Sequence, residues 1–339
     1  MKKILSILFI IIVIAAGYAA WIFLGSNTNF DEPKKSVYIK TGSTFNDVME
    51  ELTKERAIKN PGAFQWLSEK LDYSENIKAG KYTITKGQSI YSTIRILKSG
   101  RQTPVSLIIN KLRTKEDLAQ KIAANFECDS AEVAAFLYNA DSLAKYKLDT
   151  NTVMTAIIPN TYDIFWNTAA PKIFRKLFYE QEKFWNNTRK EKASALNLTT
   201  TQVYTLASIV EEETNAEADK GKIASVYLNR METGMKLGAD PTVKYAMRDF
   251  GLKRIFNKHL SYPSPYNTYQ HSGLPPGPIC TPSIKTIDAV LNAPSTSYLY
   301  FVAQPNLTGL SNFATNYEEH MKYAKEYQAW IEEYLKSKK

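Results

Sequence analysis

The chain has 339 residues, with 43 Lys and Arg against 34 Asp and Glu, for a formal net charge of +9. Its 44% apolar and 12% aromatic content allows collapse, and 14 Gly and 14 Pro are too few for a collagenous or linker-like polymer, so two or three folded units are expected. Cys128 and Cys280 cannot form a disulfide framework or a cysteine zinc site, and leave one disulfide or two inert thiols; His259, His271 and His320 have no metal-binding spacing and read as surface or loop residues.

Met1-Lys2-Lys3 precedes an uncharged run from Ile4 to Gly25. At about 1.5 Å per residue, a helix of that length covers roughly the 30 Å of a bilayer's hydrocarbon core. A signal-peptide core is shorter, so residues 4–25 read as an uncleaved transmembrane anchor. Lys2 and Lys3 then stay cytoplasmic and the rest of the chain is extracytoplasmic. That placement argues against a nucleic-acid partner, as does the lack of an arginine-rich tract or RNP-type motif.

A polar tether covers residues 26–36. Val37–Phe45 and Tyr82–Ile90 then repeat one pattern: strand, glycine turn, hydroxyl N-cap, helix. Thr44 with Asp47 forms a capping-box pattern, and Ser89 occupies the equivalent cap. A looser third unit runs from Val105 through Thr114 into a helix with Leu118 and Ile122. Residues 37–105 therefore read as a small α/β module. Residues 130–200 are mainly helical in pattern, broken at Pro159, where a turn or extended segment is expected. Helices follow over about 200–214 and 218–232, the second ending near Gly234. A long ordered loop rich in Pro, Tyr, Asn and Gly covers 260–282, a strand 298–303, and an amphipathic helix 317–335.

In the 200–214 helix, Val203, Leu206, Ala207 and Val210 define an apolar stripe that runs into Glu211-Glu212-Glu213. At 100° per residue Glu212 faces away from the stripe, while Glu211 and Glu213 lie on its two edges. Partial burial there raises a carboxyl pKa and leaves it able to donate a proton; periodicity does not choose between the two. An ordinary acidic helix end is the competing reading. Segments 238–245, 265–269 and 273–277 offer Tyr rings and an Asn amide suited to the apolar faces and hydroxyl edges of a sugar, or simply a stiffened loop.

Taken together, Ala207-Ser208-Ile209-Val210-Glu211-Glu212-Glu213-Thr214, Ala224-Ser225-Val226-Tyr227-Leu228-Asn229-Arg230, Asp240-Pro241-Thr242-Val243-Lys244-Tyr245, Tyr266-Asn267-Thr268-Tyr269 and Gly273–Ile279 resemble the YceG-like family of membrane-anchored endolytic murein transglycosylases. The resemblance implies an α+β protein: a transmembrane helix, a LysM-like module at 37–105, and a mixed, mainly helical catalytic domain at 106–339. It implies Glu211 as the catalytic acid, with Glu213, Asn229, Asp240, Thr242, Tyr245, Asn267 and Tyr269 binding substrate or supporting the site, and no metal or cofactor. The implied reaction cleaves MurNAc–GlcNAc bonds of nascent peptidoglycan to leave 1,6-anhydro ends at the bacterial inner membrane, ending chain growth. The implied partners are glycan strands, penicillin-binding proteins and other cell-wall synthesis enzymes. Met154-Thr155, Asn160 and Gly238 depart from the family pattern, as does the lack of a histidine before Phe313. The rival readings are a non-catalytic cell-wall scaffold and a hydrolase that leaves reducing ends and draws on a second carboxylate, Asp240.

Overall fold

The structure, a computed structural model, describes residues 2–338. The chain forms two compact units. The first comprises residues 1–107, 122–129 and 162–169; the second comprises 108–121, 130–161 and 170–339.

The chain opens with α1 (Lys2–Leu24), uncharged after its first two residues and apolar and long enough to cross a membrane. β1 (Lys34–Ile39), α2 (Phe45–Lys54), α3 (Pro61–Lys70) and β2 (Gly80–Thr85) follow, and β1 pairs antiparallel with β2 from Lys34↔Thr85 to Ile39↔Gly80. The two strands expected from the repeated pattern are thus partners in one sheet. α4 (Ile90–Ser99) completes the repeat. The expected caps form: Thr44 Oγ1 accepts from the Asp47 amide at 3.3 Å while Asp47 accepts from the Thr44 amide at 2.7 Å, and Ser89 accepts from the Ser92 amide at 3.2 Å. α3 was not anticipated; it starts with Pro at its first helical position, where a missing N–H costs nothing. Val37, Ile39, Leu52, Phe64, Tyr82, Ile84, Ile94 and Leu97 make this unit's core.

β3 (Val105–Ile109), α5 (Lys115–Ala123), α6 (Ser130–Tyr138) and α7 (Ala140–Ala144) precede a short 3₁₀ turn, and Pro159 leads into β4 (Asn160–Ile164), which pairs with β3. Then come α8 (Ala170–Phe184), α9 (Asn187–Ala195), α10 (Thr200–Glu213), α11 (Glu217–Glu232), α12 (Asp240–Met247), α13 (Asn257–Leu260) and α14 (Ile284–Leu291). The antiparallel hairpin β5 (Tyr300–Ala303) and β6 (Ser311–Ala314) and the closing helix α15 (Tyr317–Ser337) end the chain.

α10 is the axis of the second unit's core. It is not the amphipathic helix its stripe implied: Val203 through Val210 are all buried, Tyr204 and Ser208 as fully as Leu206. Burial all round requires the polar atoms to be paired inside. Ser208 Oγ donates to the Thr205 carbonyl at 2.7 Å and accepts from the Ile279 amide at 3.0 Å, which holds the Pro-rich loop on the helix. Gly277 lets the same loop lie against the segment after α7, since a Cβ there would lie 2.0 Å from the Asn151 carbonyl oxygen. Gly277→Ala is therefore expected to lower thermal stability by several degrees or abolish folding of this unit, as read by calorimetry.

Cys128 and Cys280 are both buried and are not joined by a disulfide, so the disulfide alternative does not hold. Two of the histidines also differ from expectation. His259 is buried, its Nδ1 accepting from the Phe256 amide at 3.1 Å, and His320 is partly buried against the Tyr300 ring at 5.1 Å.

Candidate active site

The three glutamates at the end of α10 point to three different environments. Glu212, on the side away from the stripe, meets cations: Arg113 Nε and Nη2 donate to its two oxygens at 3.1 and 3.0 Å, and Lys111 Nζ lies 3.2 Å away. Burial works against its charge, but the Arg113 hydrogen bonds and the Lys111 charge win and hold its carboxyl below the usual range. A carboxylate clamped in this way is a structural ion pair and has no proton to give.

Glu211 is enclosed by donors. Its Oε2 accepts from Ser283 Oγ at 3.0 Å, from Thr286 Oγ1, and at longer range from the Ser283 amide at 3.4 Å, all at the start of α14. Lys220 Nζ, whose side chain is only 4% exposed, lies 3.5 Å from it and 2.8 Å from Glu217. Negative charge here suits both the α14 N-terminus and the buried ammonium.

Glu213, on the other edge, opens on a cavity of about 510 Å³ lined by aromatic and charged side chains, among them Tyr227, Arg230, Asp240 and Tyr269. Tyr227 donates to Glu213 at 2.6 Å. Burial pushes the Glu213 carboxyl up to about 7; the Tyr227 hydrogen bond opposes this, nearby Asp240 adds to it, and Arg230 and Lys244 pull the other way. It is a carboxylic acid that holds its proton near neutral pH while facing open space. That is the requirement for a general acid.

The remaining expected residues divide in two. Asp240, the first residue of α12, and Tyr269 line the same cavity as Glu213, with Tyr269 donating to Asp240 at 2.7 Å. The others spend their polar atoms on protein. Asn229 Nδ2 donates to the Thr296 and Tyr298 carbonyls at 2.9 and 2.8 Å, positioning the chain that enters β5. Asn267, fully buried, donates to the Leu260 and Tyr262 carbonyls at 3.0 and 2.8 Å and accepts from the Tyr269 amide at 3.0 Å, so it shapes the loop that presents Tyr269. Thr242, also fully buried, donates to the Ala239 carbonyl at 2.7 Å and contacts Thr268 Oγ1 at 2.8 Å. Tyr245 packs on Tyr266 at 4.8 Å and lines a separate small cleft with Arg113 and Glu212. Gly238 lines the Glu213 cavity in a left-handed conformation at φ +59.

Sequence reasoning did not select Tyr227, Arg230, Tyr300, Phe301, Tyr317 or His320, all of which line the cavity. Arg230 donates to the Leu299 and Leu237 carbonyls at 2.7 and 2.5 Å, and its guanidinium sits 5.4 Å from the Tyr300 ring centre. Tyr227 and Arg230 fall inside a motif already noted, three positions apart on α11, and that spacing was the available signal. For the hairpin and α15 residues there was none, because their place at the cavity depends on β5 packing against α11, about seventy residues earlier in the chain.

Among the described residues no group of histidine, cysteine or carboxylate side chains has the arrangement of a metal site. A rigid acid, a second carboxylate, a guanidinium and a wall of aromatic rings in one open cavity fit a polysaccharide-cleaving centre better than a cofactor pocket.

The YceG-like family matches residues 37–326. The chain is 29% identical to the endolytic murein transglycosylase of Bacillus subtilis across 86% of this chain and 84% of that one. It is 27% identical to the endolytic murein transglycosylase of Streptococcus pneumoniae across 93% of this chain and 63% of that one. A crystal structure of a yceG-like protein from Listeria monocytogenes superposes with a TM-score of 0.57 at 27% identity, covering 86% of this chain and 99% of that chain. With the family matched over most of its length, the chain belongs to the YceG-like family.

Proposed function

We propose that this protein is an endolytic murein transglycosylase that cleaves MurNAc–GlcNAc bonds and leaves 1,6-anhydro-MurNAc ends, with Glu213 as its general acid and base. The observation that carries the assignment is the Glu213 carboxyl, held protonated up to about pH 7 at the wall of an aromatic cavity. Glu211 was the residue implied by family resemblance. Its Oε2 is engaged by Ser283, Thr286 and Lys220, which supports a positioning role for it at the joint between α10 and α14.

One carboxyl suffices for the chemistry. Protonated Glu213 gives its proton to the glycosidic oxygen as the bond to the muramic anomeric carbon breaks. The resulting carboxylate then takes the proton of the muramic C6 hydroxyl as that oxygen bonds to the same carbon. The nucleophile belongs to the substrate, so no water needs placing and the step is effectively unimolecular. Asp240, near Glu213 and held by Tyr269, adds to the burial that keeps the acid's pKa up, while Arg230 and the Tyr rings supply polar and flat apolar surfaces for the sugars.

The β1–α2–α3–β2 order supports reading residues 37–105 as a LysM-like glycan-binding module, followed by the catalytic domain from 106 onward. An α1 that spans the membrane with Lys2 and Lys3 in the cytoplasm confines the site to glycan near the outer face of the inner membrane. Strands leaving a polymerase are the substrate found there, so cleavage ends their growth, and penicillin-binding proteins and other synthesis enzymes are the expected neighbours.

The test is mass spectrometry of purified peptidoglycan digested with the detergent-solubilised full chain. Anhydro-muropeptides, lighter by one water than hydrolysis products, are expected. Reducing ends in their place would make this a hydrolase with Asp240 as the second carboxylate. Glycan binding without any product would establish the scaffold reading.

A further inference from the structure

α1 is exposed at every described position from Lys2 to Tyr18, and only Ala19, Ile22, Phe23 and Gly25 lose exposure near its end. Ile22 and Phe23 pack on the core of the first unit. At about 1.5 Å per residue the run from Ile4 to Trp21 covers about 27 Å, close to a bilayer's hydrocarbon thickness of roughly 30 Å. Tyr18 and Trp21, stacked at 6.0 Å, are the aromatic residues that favour a membrane–water boundary. Whatever packs on Phe23 is then held within about one helical turn of the headgroups.

Two helices pack there. The amides of Lys59 and Asn60 bond to the Asn27 carbonyl and side chain at 2.7 and 3.0 Å, so α3 begins beyond the end of α1. Trp66, midway along α3 and 51% exposed, stacks on Phe23 at 5.3 Å. α3 therefore runs back toward the membrane. α4 begins beside the same segment, where the Asn27 amide bonds to the Gln88 carbonyl at 3.1 Å, and also packs on α1. Near its end Lys98 reaches the Leu71 carbonyl, just past α3, so the last turns of the two helices are neighbours.

The solvent face of α4 carries Ser92, Arg95 and Ser99, which with Ile96 and Arg101 line a cavity of about 270 Å³. The Arg95 and Arg101 guanidinium groups have no hydrogen-bond, ion-pair or ring partner among the described residues, whereas Lys98 has Asp72 at 3.9 Å. The Ser92 hydroxyl accepts from Ser89 Oγ at 3.1 Å and keeps its own hydrogen, so two unpaired guanidinium groups and one hydroxyl match a phosphate oxygen set.

We propose that this face of α4 binds the phosphate of an anionic phospholipid and so fastens the module to the outer surface of the bilayer that α1 crosses. The proposal rests on α1 being a membrane span and is independent of the catalytic assignment. Each arginine near an anionic surface contributes on the order of fivefold in binding.

The test uses the full chain in lipid bilayers with a nitroxide attached through Glu69→Cys in the last turn of α3, both native thiols being buried. A matching label at Lys54→Cys, 69% exposed at the end of α2, serves as the control, and one at Ile10→Cys reports the span. In bilayers with about one-third phosphatidylglycerol, contact of the residue-69 label with a water-soluble nickel chelate should fall by about threefold relative to phosphatidylcholine alone. The Arg95→Glu/Arg101→Glu variant should lose that difference, with the residue-54 label unchanged throughout. An equal reading in the two lipids, or an unchanged difference in the double variant, overturns the proposal. So does the same fall on adding inorganic phosphate to phosphatidylcholine bilayers, since the site would then take a free anion. A residue-10 label outside the hydrocarbon would overturn the membrane span itself, and the lipid site with it.

Discussion

Glu213→Gln is expected to lower glycan cleavage by about 10³-fold or more, the range lost when a general acid is removed, while the protein stays folded. Burial makes the second half of that expectation sharp. The Glu213 carboxyl moves from an ordinary 4.5 to about 7 on folding, so the native state favours the protonated form. Stability from this group is fully present below its unfolded pKa near 4.5 and is lost as pH rises through 7, a difference of ~3 kcal/mol at most. Glutamine cannot ionise and escapes that loss. The variant should therefore melt at or a few degrees above the wild type at pH 8, and inactivity cannot be blamed on unfolding. Glu211→Gln should behave in the opposite way. It removes the charge beside Lys220, a side chain only 4% exposed, and weakens the acceptor shared by Ser283 and Thr286. A loss of roughly 3 kcal/mol in stability is expected, with the folded fraction keeping most of its turnover. Calorimetry and product assays on the two variants decide the matter. A stable, inactive Glu211→Gln beside an active Glu213→Gln would return the acid's role to Glu211.

That choice shows where reading the sequence stops. The rotation of 100° per residue placed Glu211 and Glu213 on opposite edges of a stripe, and they do point to opposite environments. What each edge meets is set by α14 on one side and by α11, β5 and α15 on the other, and no pattern local to α10 encodes those neighbours. Local signals fared well where the cause was local: the Thr44–Asp47 box, the Ser89 cap, the left-handed Gly234 after α11, and the break at Pro159. Polar residues inside motifs were harder to read. The family resemblance implies Asn229, Thr242 and Asn267 as binding or supporting residues, and no local pattern tells which: Thr242 and Asn267 bond backbone carbonyls within seven residues of themselves, and Asn229 bonds carbonyls nearly seventy residues on. A helix buried on all sides, such as α10, also hides its orientation, since its stripe is only the most apolar part of a covered surface.

The pH profile carries the second large effect. Only protonated Glu213 starts the reaction, so kcat/KM should be level below about pH 7 and fall tenfold per unit above it. The groups around the carboxyl predict how that limb moves. Tyr227 donates to the carboxylate at 2.6 Å and lowers its pKa, so Tyr227→Phe should shift the limb to higher pH. Asp240 raises the pKa through like charge, so Asp240→Asn should shift it to lower pH. Opposite movements in two single-atom-scale variants are hard to produce by general disruption, which would lower the plateau and leave the limb in place. The measurement is the initial rate of anhydro-end release between pH 5 and pH 9 for the three proteins. A limb that stays fixed in both variants would mean that the titrating acid is not Glu213, because a carboxyl this close to the Tyr227 hydroxyl and the Asp240 charge must respond to the loss of either.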